Sequence, residues 1–247
     1  MVLKEIHARS ILVKSQVFDY VVNPYIGCQH SCVYCYARFM RWFTRHKEPW
    51  GEFVDAKINA PALLRHEIDR KPPGRVWVSG VCDPYQPLES KYELTRKCLE
   101  ILVEYGRPIT VQTKSPLVLR DLDLLRRGDK IEVCLSVSTA DERIRNLFEP
   151  GAPSIERRIE ALEELHLAGI RTYAMIAPML PGADELADQL SEKVDYVLVD
   201  RMNYHYGDWV YRKYHVEDAM GYDFFYSKGN ELASAFAERG IECRVLF

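Results

Sequence analysis

Short apolar stretches alternate with longer amphipathic segments from residue 17 to the end of the chain. Stretches rich in Val, Ile and aromatic residues predict strands, and apolar residues recurring at helical spacing predict helices. The predicted strands cover Val17–Asn23, Arg75–Gly80, Pro108–Gln112, Lys130–Thr139, Arg171–Ala177, Val194–Asp200 and a short terminal Ile241–Phe247. The predicted helices cover Glu89–Tyr105, Pro116–Arg127, Ser154–Ala168, Ala183–Glu192 and Asp223–Arg239.

Continuous apolar strands that alternate with helices predict an α/β fold with a parallel sheet and helical crossovers. The pattern fits either a doubly wound sheet or a barrel, and both place ligands at the carboxyl ends of the strands. Polar residues collect at these predicted ends, at Ser79–Asp83, Thr113–Ser115 and Pro178–Gly182. This arrangement is typical of an active site.

Composition excludes several classes of protein. The chain has 247 residues, of which 47% are hydrophobic, and a net charge of −3. Such an apolar content is too high for a disordered chain, and no apolar run is long enough for a membrane helix. The residues Met1–Lys14 lack the apolar core of a signal peptide, so we expect a cytoplasmic protein without membrane contact. The mild acidity argues against nucleic-acid binding by bulk positive charge.

The seven cysteines are the most informative residues. An odd number without a secretory signal does not indicate a disulfide framework. Cys28, Cys32 and Cys35 form a C-x3-C-x2-C cluster, whereas Cys98, Cys134 and Cys243 are interpreted as core residues. Three thiolates around a [4Fe–4S] cluster leave one iron open to a small molecule. The alternative is a structural zinc ion completed by His30 or another residue.

The sequence around these cysteines, NPYxGCxHxCxYCYAR, resembles the radical S-adenosylmethionine superfamily and its spore photoproduct lyase-like branch. Further segments carry the resemblance to about residue 200, including Asp83–Glu89 and Ala177–Gly182. It implies a partial (β/α)6 TIM-type barrel. We expect one domain over residues 1–247, with a core at about 17–200 and a cap at about 201–247.

The resemblance also implies the cofactors. Cys28, Cys32 and Cys35 would hold a [4Fe–4S] cluster, and S-adenosylmethionine would bind the open iron. An electron from an external donor of the flavodoxin or ferredoxin type would then generate a 5′-deoxyadenosyl radical. This radical would abstract a hydrogen atom from the substrate.

Further residues are assigned to the cofactor by matching motifs. Asp83 is expected to bind the ribose hydroxyls, and Lys114 the methionine carboxylate. The alternatives are an Asp-Pro turn and a solvated lysine at the barrel rim. The complete set of cofactor residues is Tyr36, Asp83, Lys114, Ser136, Ser138, Ala177 and Met179.

Three residues are candidates for catalysis. Tyr34 and Tyr36 flank Cys35 and are interpreted either as hydrogen-atom relays or as packing over the cluster. Cys82 is interpreted either as the donor that returns a hydrogen atom to the substrate radical or as a small buried residue.

The substrate remains open between two classes. Arg38, Arg41 and Arg45 predict a basic strip on a helix, suited to phosphates or to solvent. Aromatic and basic residues alternate over 203–215, which suits base stacking or closure of the barrel. A nucleic-acid base or lesion is one substrate class, and a peptide or small metabolite is the other. A non-enzymatic iron–sulfur or zinc protein is the third hypothesis, and a monomer is expected.

Overall fold

The computed structural model describes all 247 residues. Its strands are β1 (Val2–Ile6), β2 (Leu12–Lys14), β3 (Tyr20–Val22), β4 (Tyr25–Ile26), β5 (Phe53–Lys57), β6 (Val76–Val78), β7 (Ile109–Thr113), β8 (Ile131–Ser136), β9 (Arg171–Ile176), β10 (Tyr196–Val199) and β11 (Glu242–Val245). Its α-helices are α1 (Ala60–Ile68), α2 (Glu89–Tyr92), α3 (Leu94–Glu104), α4 (Leu122–Leu125), α5 (Glu142–Phe148), α6 (Ile155–Leu167), α7 (Leu186–Gln189), α8 (Asp208–Lys213) and α9 (Tyr222–Glu238). Short 3₁₀ helices cover Tyr36–Phe43, Pro116–Asp121, Ala183–Glu185, His205–Gly207 and Glu217–Ala219.

The larger sheet has the strand order β2-β3-β6-β7-β8-β9-β10-β11. The pairs β3–β6, β6–β7, β9–β10 and β10–β11 are parallel, and β2 is antiparallel to β3. Six of these strands, β3 and β6 to β10, follow one another in chain order, as the alternating pattern predicts. The α/β class is therefore confirmed.

A second, three-stranded sheet was not predicted. It pairs β1 with β5 in parallel and β4 with β5 antiparallel. The strand β5 is almost fully buried, but its sequence Phe53–Lys57 contains Asp55, which interrupts the apolar run. The fold tolerates this carboxylate because the ring of the buried His46 contacts it, with Nε2 2.8 Å from Oδ1 of Asp55.

Three predicted helices have different boundaries in the structure. The segment Ala183–Glu192 is a 3₁₀ helix over Ala183–Glu185 followed by the short α-helix Leu186–Gln189. The segment Glu89–Tyr105 divides at Glu93, which has a left-handed backbone with φ of 52°. The buried carboxylate of Glu89 accepts hydrogen bonds from the amides of Thr95 and Arg96, so it caps the first turn of α3. The segment Pro116–Arg127 is mostly a 3₁₀ helix, and only Leu122–Leu125 is α-helical.

The chain divides into two compact units, one of residues 1–31 and 37–133 and the other of residues 32–36 and 134–247. The first contains a buried cluster formed by Tyr25, Val54, Ala56, Leu88 and Leu94. The second contains a cluster formed by Cys32, Tyr34, Ile144, Phe148, Leu180, Val210, Tyr211 and Ala219. The single domain expected over residues 1–247 stays a prediction. No helix of the chain combines the length and the apolar character required to cross a membrane.

Candidate functional site

The cysteine loop begins at Gly27, a position where any other residue would be strained. Gly27 follows β4 with a φ of +88°, and a Cβ there would lie 2.3 Å from the carbonyl oxygen of Phe53. The carbonyl of Gly27 also accepts a hydrogen bond from the side-chain amide of Gln86, at 3.2 Å. These contacts fix the direction in which the chain enters Cys28.

None of the three cysteines of the loop forms a disulfide bond. Cys28 and Cys32 are buried and Cys35 is partly exposed. The amide of Ser31 donates to the carbonyl of Cys28, and the amide of Cys35 donates to that of Cys32, so two tight turns order the loop. No group of three or more His, Cys, Asp or Glu side chains is arranged to hold a single metal ion.

His30 lies between these cysteines in the chain and is buried. Its Nδ1 lies 3.3 Å from Oδ2 of Asp83. Its Nε2 is buried without a hydrogen-bond partner. Because a buried polar atom without a partner costs free energy, it indicates a group that binds beside this ring.

Three partly buried hydrogen bonds and His30 hold the carboxylate of Asp83. Its Oδ1 accepts from the hydroxyl of Thr113 at 2.6 Å and from the amide of Tyr85 at 2.9 Å. Its Oδ2 accepts from the amide of Lys114 at 2.7 Å. Burial alone raises the pKa of Asp83, but His30 and these donors lower it to about 2. Asp83 therefore joins the loop after β7 to the residue between two of the cysteines, and its assignment to the ribose stays a prediction.

Cys82 lies beside a turn that Asn23 holds together. Oδ1 of Asn23 accepts hydrogen bonds from the hydroxyl of Ser79 and the amides of Gly80 and Val81, at 2.5, 2.8 and 3.1 Å. The sulfur of Cys82 lies 3.1 Å from Oγ of Ser79. Burial raises the pKa of the Cys82 thiol to about 11 although Ser79 opposes the shift, so the sulfur keeps its hydrogen at neutral pH.

Tyr34 is held by a buried ion pair. Its hydroxyl donates a short hydrogen bond to Oε1 of Glu149 and lies 3.5 Å from Oγ of Ser138. Oε2 of Glu149 lies 2.6 Å from Nη1 of Arg158, and both side chains are fully buried. Burial and the charge of Glu149 raise the pKa of Tyr34, which keeps the phenol neutral.

Sequence reasoning missed this use of Glu149 and Arg158. The sequence did contain a signal for a buried charge, because Arg158 occupies the apolar face of α6, between the buried Ile155 and Ile159. The same guanidinium donates to the carbonyl oxygens of Ser136 and Pro153. Arg158 thus connects Tyr34, through Glu149, to the end of β8.

The remaining predicted cofactor residues collect at strand ends in the same unit. Ser136 ends β8, and both Ser136 and Ser138 are buried. The hydroxyl of Ser138 donates to the carbonyl of Ala177 at 3.4 Å. Met179 is buried, and its amide donates to the carbonyl of Asp200. The structure thus brings Ser138 and Ala177 into contact with each other.

Tyr36 differs from Tyr34 in being exposed. Its ring stacks on that of Tyr204, with centroids 6.0 Å apart, and Tyr204 stacks on Tyr206 at the same distance. All three rings are at least 39% exposed. The segment Tyr204–Tyr206 therefore presents flat aromatic faces to solvent beside the residue that follows Cys35.

The predicted basic strip takes a different form. The residues Tyr36–Phe43 form a 3₁₀ helix, in which side chains three positions apart lie on one side. Arg38 and Arg41 share a side for this reason, whereas Arg45 lies beyond the last helical residue. The prediction that all three arginines lie on one helix is therefore wrong.

The donor set is consistent with an iron–sulfur cluster. Three thiols in one loop supply three of the four ligands that a [4Fe–4S] cluster needs and leave one iron for a small molecule. The unpartnered Nε2 of His30 provides a polar atom for a bound group. The residues present therefore fit a cluster with one open position.

Comparison with known proteins extends these findings. The model of the Radical SAM superfamily matches residues 22–192. An uncharacterized protein of Methanocaldococcus jannaschii is 41% identical over 163 residues, which are 66% of this chain and 61% of that protein. An uncharacterized protein of Mycobacterium tuberculosis is 32% identical over 71% of this chain and 54% of its own length. The chain thus spans less than two thirds of these curated relatives.

A more distant relative has a described activity. The protein named Radical SAM Nalpha-GlyT isomerase, from Pseudomonas phage M6, is 26% identical over 66% of this chain and 33% of its own length.

Two solved structures have the same fold. Spore photoproduct lyase complexed with dinucleoside spore photoproduct has a TM-score of 0.67 at 17% identity, over 99% of this chain and 82% of that one. Streptococcus suis SuiB bound to the precursor peptide SuiA has a TM-score of 0.61 at 17% identity, over 92% and 48%. These neighbours confirm the predicted partial barrel.

Proposed function

Since the chain belongs to the radical S-adenosylmethionine superfamily, we propose that it is an enzyme that holds a [4Fe–4S] cluster on Cys28, Cys32 and Cys35. When bound, the cluster and S-adenosylmethionine supply a 5′-deoxyadenosyl radical that removes a hydrogen atom from the substrate. The observation that carries this proposal is the ordered loop with its three cysteines outside any disulfide bond, entered through the constrained Gly27. An external electron donor of the flavodoxin or ferredoxin type serves this centre.

The residues proposed for S-adenosylmethionine divide into two roles. Asp83 positions His30 and the loop at Lys114 and is still proposed to bind the ribose hydroxyls, and the side chain of Lys114 pairs with a carboxylate of the cofactor. Ser136, Ser138, Ala177 and Met179 line the adenosine moiety. The long hydrogen bonds of the Ser138 hydroxyl, at 3.4 and 3.5 Å, support this role because a better partner can replace them.

The two tyrosines receive different roles. Tyr34 packs with Cys32 in one buried cluster, and its hydroxyl donates a hydrogen bond to Glu149. We therefore propose that Tyr34 positions the cysteine loop. Tyr36 keeps the proposed roles of hydrogen-atom relay and cofactor contact, and its exposed ring also supports a contact with the substrate.

Cys82 is proposed to return a hydrogen atom to the substrate radical. A thiol can do this only while it carries its hydrogen, and the raised pKa of Cys82 meets that condition. The nearby hydroxyl of Ser79 gives the sulfur a fixed neighbour.

For the substrate we propose a nucleobase. The exposed stack of Tyr36, Tyr204 and Tyr206 supports it, because flat aromatic faces bind bases of any sequence. The dinucleoside bound by the neighbouring lyase structure points to the same class. A peptide is the second candidate, favoured by the precursor peptide in the SuiB structure.

Anaerobic reconstitution tests the proposed chemistry. We expect about four irons per chain and release of 5′-deoxyadenosine from S-adenosylmethionine under reductant. Cys32→Ala should abolish both, whereas Cys243→Ala, which changes a partly exposed cysteine outside the loop, should retain both. A single zinc ion per chain, or iron without cofactor cleavage, contradicts the proposal.

The substrate class is tested by isotope transfer. Deuterated oligonucleotides and deuterated peptides are incubated separately with the loaded enzyme, and deuterium is followed into 5′-deoxyadenosine. Transfer from an oligonucleotide supports the nucleobase, and transfer only from a peptide replaces it with the second candidate.

A further inference from the structure

The segment that follows the cysteine loop carries an exposed aromatic and basic surface. We call this surface the aromatic–basic patch, and it consists of Phe39, Arg41, Trp42, Phe43, Arg45 and Lys47. Trp42 is 87% exposed and Phe43 is 78% exposed. Large aromatic side chains at such exposure mark an interaction surface, because water contact is unfavourable for them.

The charge of this segment is of one sign. Residues 36–47 contain three arginines and one lysine and no acidic residue, although the whole chain has a net charge of −3. The first acidic side chain, Glu48, is paired with His46, and Asp55 pairs with the other nitrogen of the same ring. The patch is therefore complementary to an acidic partner.

The patch has a defined shape. The rings of Phe39 and Phe43 meet edge to face, with centroids 6.2 Å apart. Arg41 donates a short hydrogen bond to the carbonyl of Lys47, which joins the two ends of the segment. An ordered surface loses little conformational entropy when a partner binds.

The covalent chain places this surface near the cysteine loop. Tyr36 directly follows Cys35 and begins the 3₁₀ helix that ends at Phe43. At a rise of about 2.0 Å per residue, Trp42 lies about 12 Å along the helix from Tyr36. The patch therefore begins four residues after Cys35, a ligand of the proposed cluster.

We propose that the aromatic–basic patch is the docking surface for a small acidic electron-carrier protein. The inference rests on the proposed function, because the carrier is oxidised by one electron and the cluster is reduced by that electron. Trp42 and Phe43 form the apolar centre of the interface, and Arg45 and Lys47 form its charged rim. Nucleic acid is the competing occupant, since the same side chains can contact phosphates and bases.

The kinetic test compares two reductants in the same assay. Reduced flavodoxin needs the docking surface, whereas dithionite, a small anion, does not. We expect Arg45→Glu with Lys47→Glu to raise the apparent KM for flavodoxin at least about tenfold at low ionic strength. The same variant should form 5′-deoxyadenosine at the wild-type rate with dithionite. Trp42→Ala should raise the KM for flavodoxin at both low and high salt.

The control variant reverses two exposed arginines outside the patch, Arg126→Glu with Arg127→Glu. It carries the same charge change and should keep the wild-type KM for flavodoxin. An equal rise of the KM for flavodoxin in this control variant would show that the effect comes from net charge alone, and it would overturn the proposal.

A direct binding measurement with flavodoxin tests the docking surface without enzyme turnover. Anisotropy of labelled flavodoxin should report weaker binding to the patch variants and unchanged binding to the control. Unchanged flavodoxin binding to the patch variants, or a loss confined to oligonucleotide binding, overturns the proposal. If dithionite yields no 5′-deoxyadenosine with the wild type, the proposed function fails while the binding result still tests the surface.

Discussion

Arg158 and Glu149 form an ion pair without solvent contact, with Nη1 2.6 Å from Oε2. Removing one partner leaves the other charge buried and unpaired, which costs about 3–5 kcal/mol. We expect Arg158→Met to lower the free energy of unfolding by this amount, measured by urea denaturation. Adding Glu149→Gln to Arg158→Met should recover part of the lost free energy of unfolding. The buried charge is then removed, and the side-chain amide oxygen still accepts the hydrogen bond from Tyr34. A double variant less stable than Arg158→Met would contradict this account.

The Asp83 carboxyl predicts a specific pH dependence of stability. Its pKa is about 2 in the folded chain against an ordinary value of 3.8, so folding favours the ionised form. The stabilisation, about 2 kcal/mol, is fully present above pH 4 and is lost as the pH falls through 2. The free energy of unfolding of wild type minus that of Asp83→Asn should therefore decrease between pH 4 and pH 2. A difference that is constant across this range would refute the prediction.

Alanine substitutions at Gly27 and Gly106 distinguish two causes of strain, a positive φ and a steric clash of the added Cβ. Gly27→Ala combines a φ of +88° with a Cβ 2.3 Å from the oxygen of Phe53. Gly106 has a φ of +60°, but a Cβ there meets no atom within 4 Å. We expect Gly106→Ala to cost about 1–2 kcal/mol of stability and Gly27→Ala clearly more, measured by urea denaturation. Equal costs would show that the contact with Phe53 is relieved by a small shift.

Much of the fold could be predicted from the sequence because six strands carry a local apolar signal. The strands β1 and β5 lack one because charged residues interrupt their apolar positions, and they pair with each other across about fifty positions. The cysteine loop was identified by its spacing together with the surrounding motif NPYxGCxHxCxYCYAR. The partners of its neighbours were not, because the contacts of Asp83 with His30 and Thr113 join residues that lie far apart in the chain.

Cys82 should affect the product and not the formation of the radical. We expect Cys82→Ala to cleave S-adenosylmethionine at a rate near that of the wild type while the substrate radical is quenched by another route. Product analysis by mass spectrometry in deuterated water measures this, since the exchangeable thiol hydrogen of Cys82 enters the wild-type product. Cys243→Ala is the matched control, because burial also raises the pKa of this thiol to about 11. An unchanged product pattern removes Cys82 from the mechanism.

The tyrosine stack can be tested against a similar stack elsewhere. Tyr204→Ala interrupts the rings between Tyr36 and Tyr206 and should weaken oligonucleotide binding by about 1–3 kcal/mol. Tyr222→Ala removes an exposed ring stacked on Tyr226 at 5.9 Å and should have no effect. Fluorescence titration with a short single strand gives both affinities. Equal losses would show nonspecific binding to exposed aromatic residues.

The burial of Cys98 and Cys134 has a practical consequence for handling the protein. Both thiols lie in the interior, and burial raises the pKa of Cys98. In the native fold they are shielded from alkylating reagents, whereas Cys35 and Cys243 are partly accessible. Iodoacetamide labelling therefore reports occupancy of the loop through Cys35, with Cys243 as an internal standard in the same peptide map. Each preparation thus carries its own measure of cluster loading, independent of colour or iron assay.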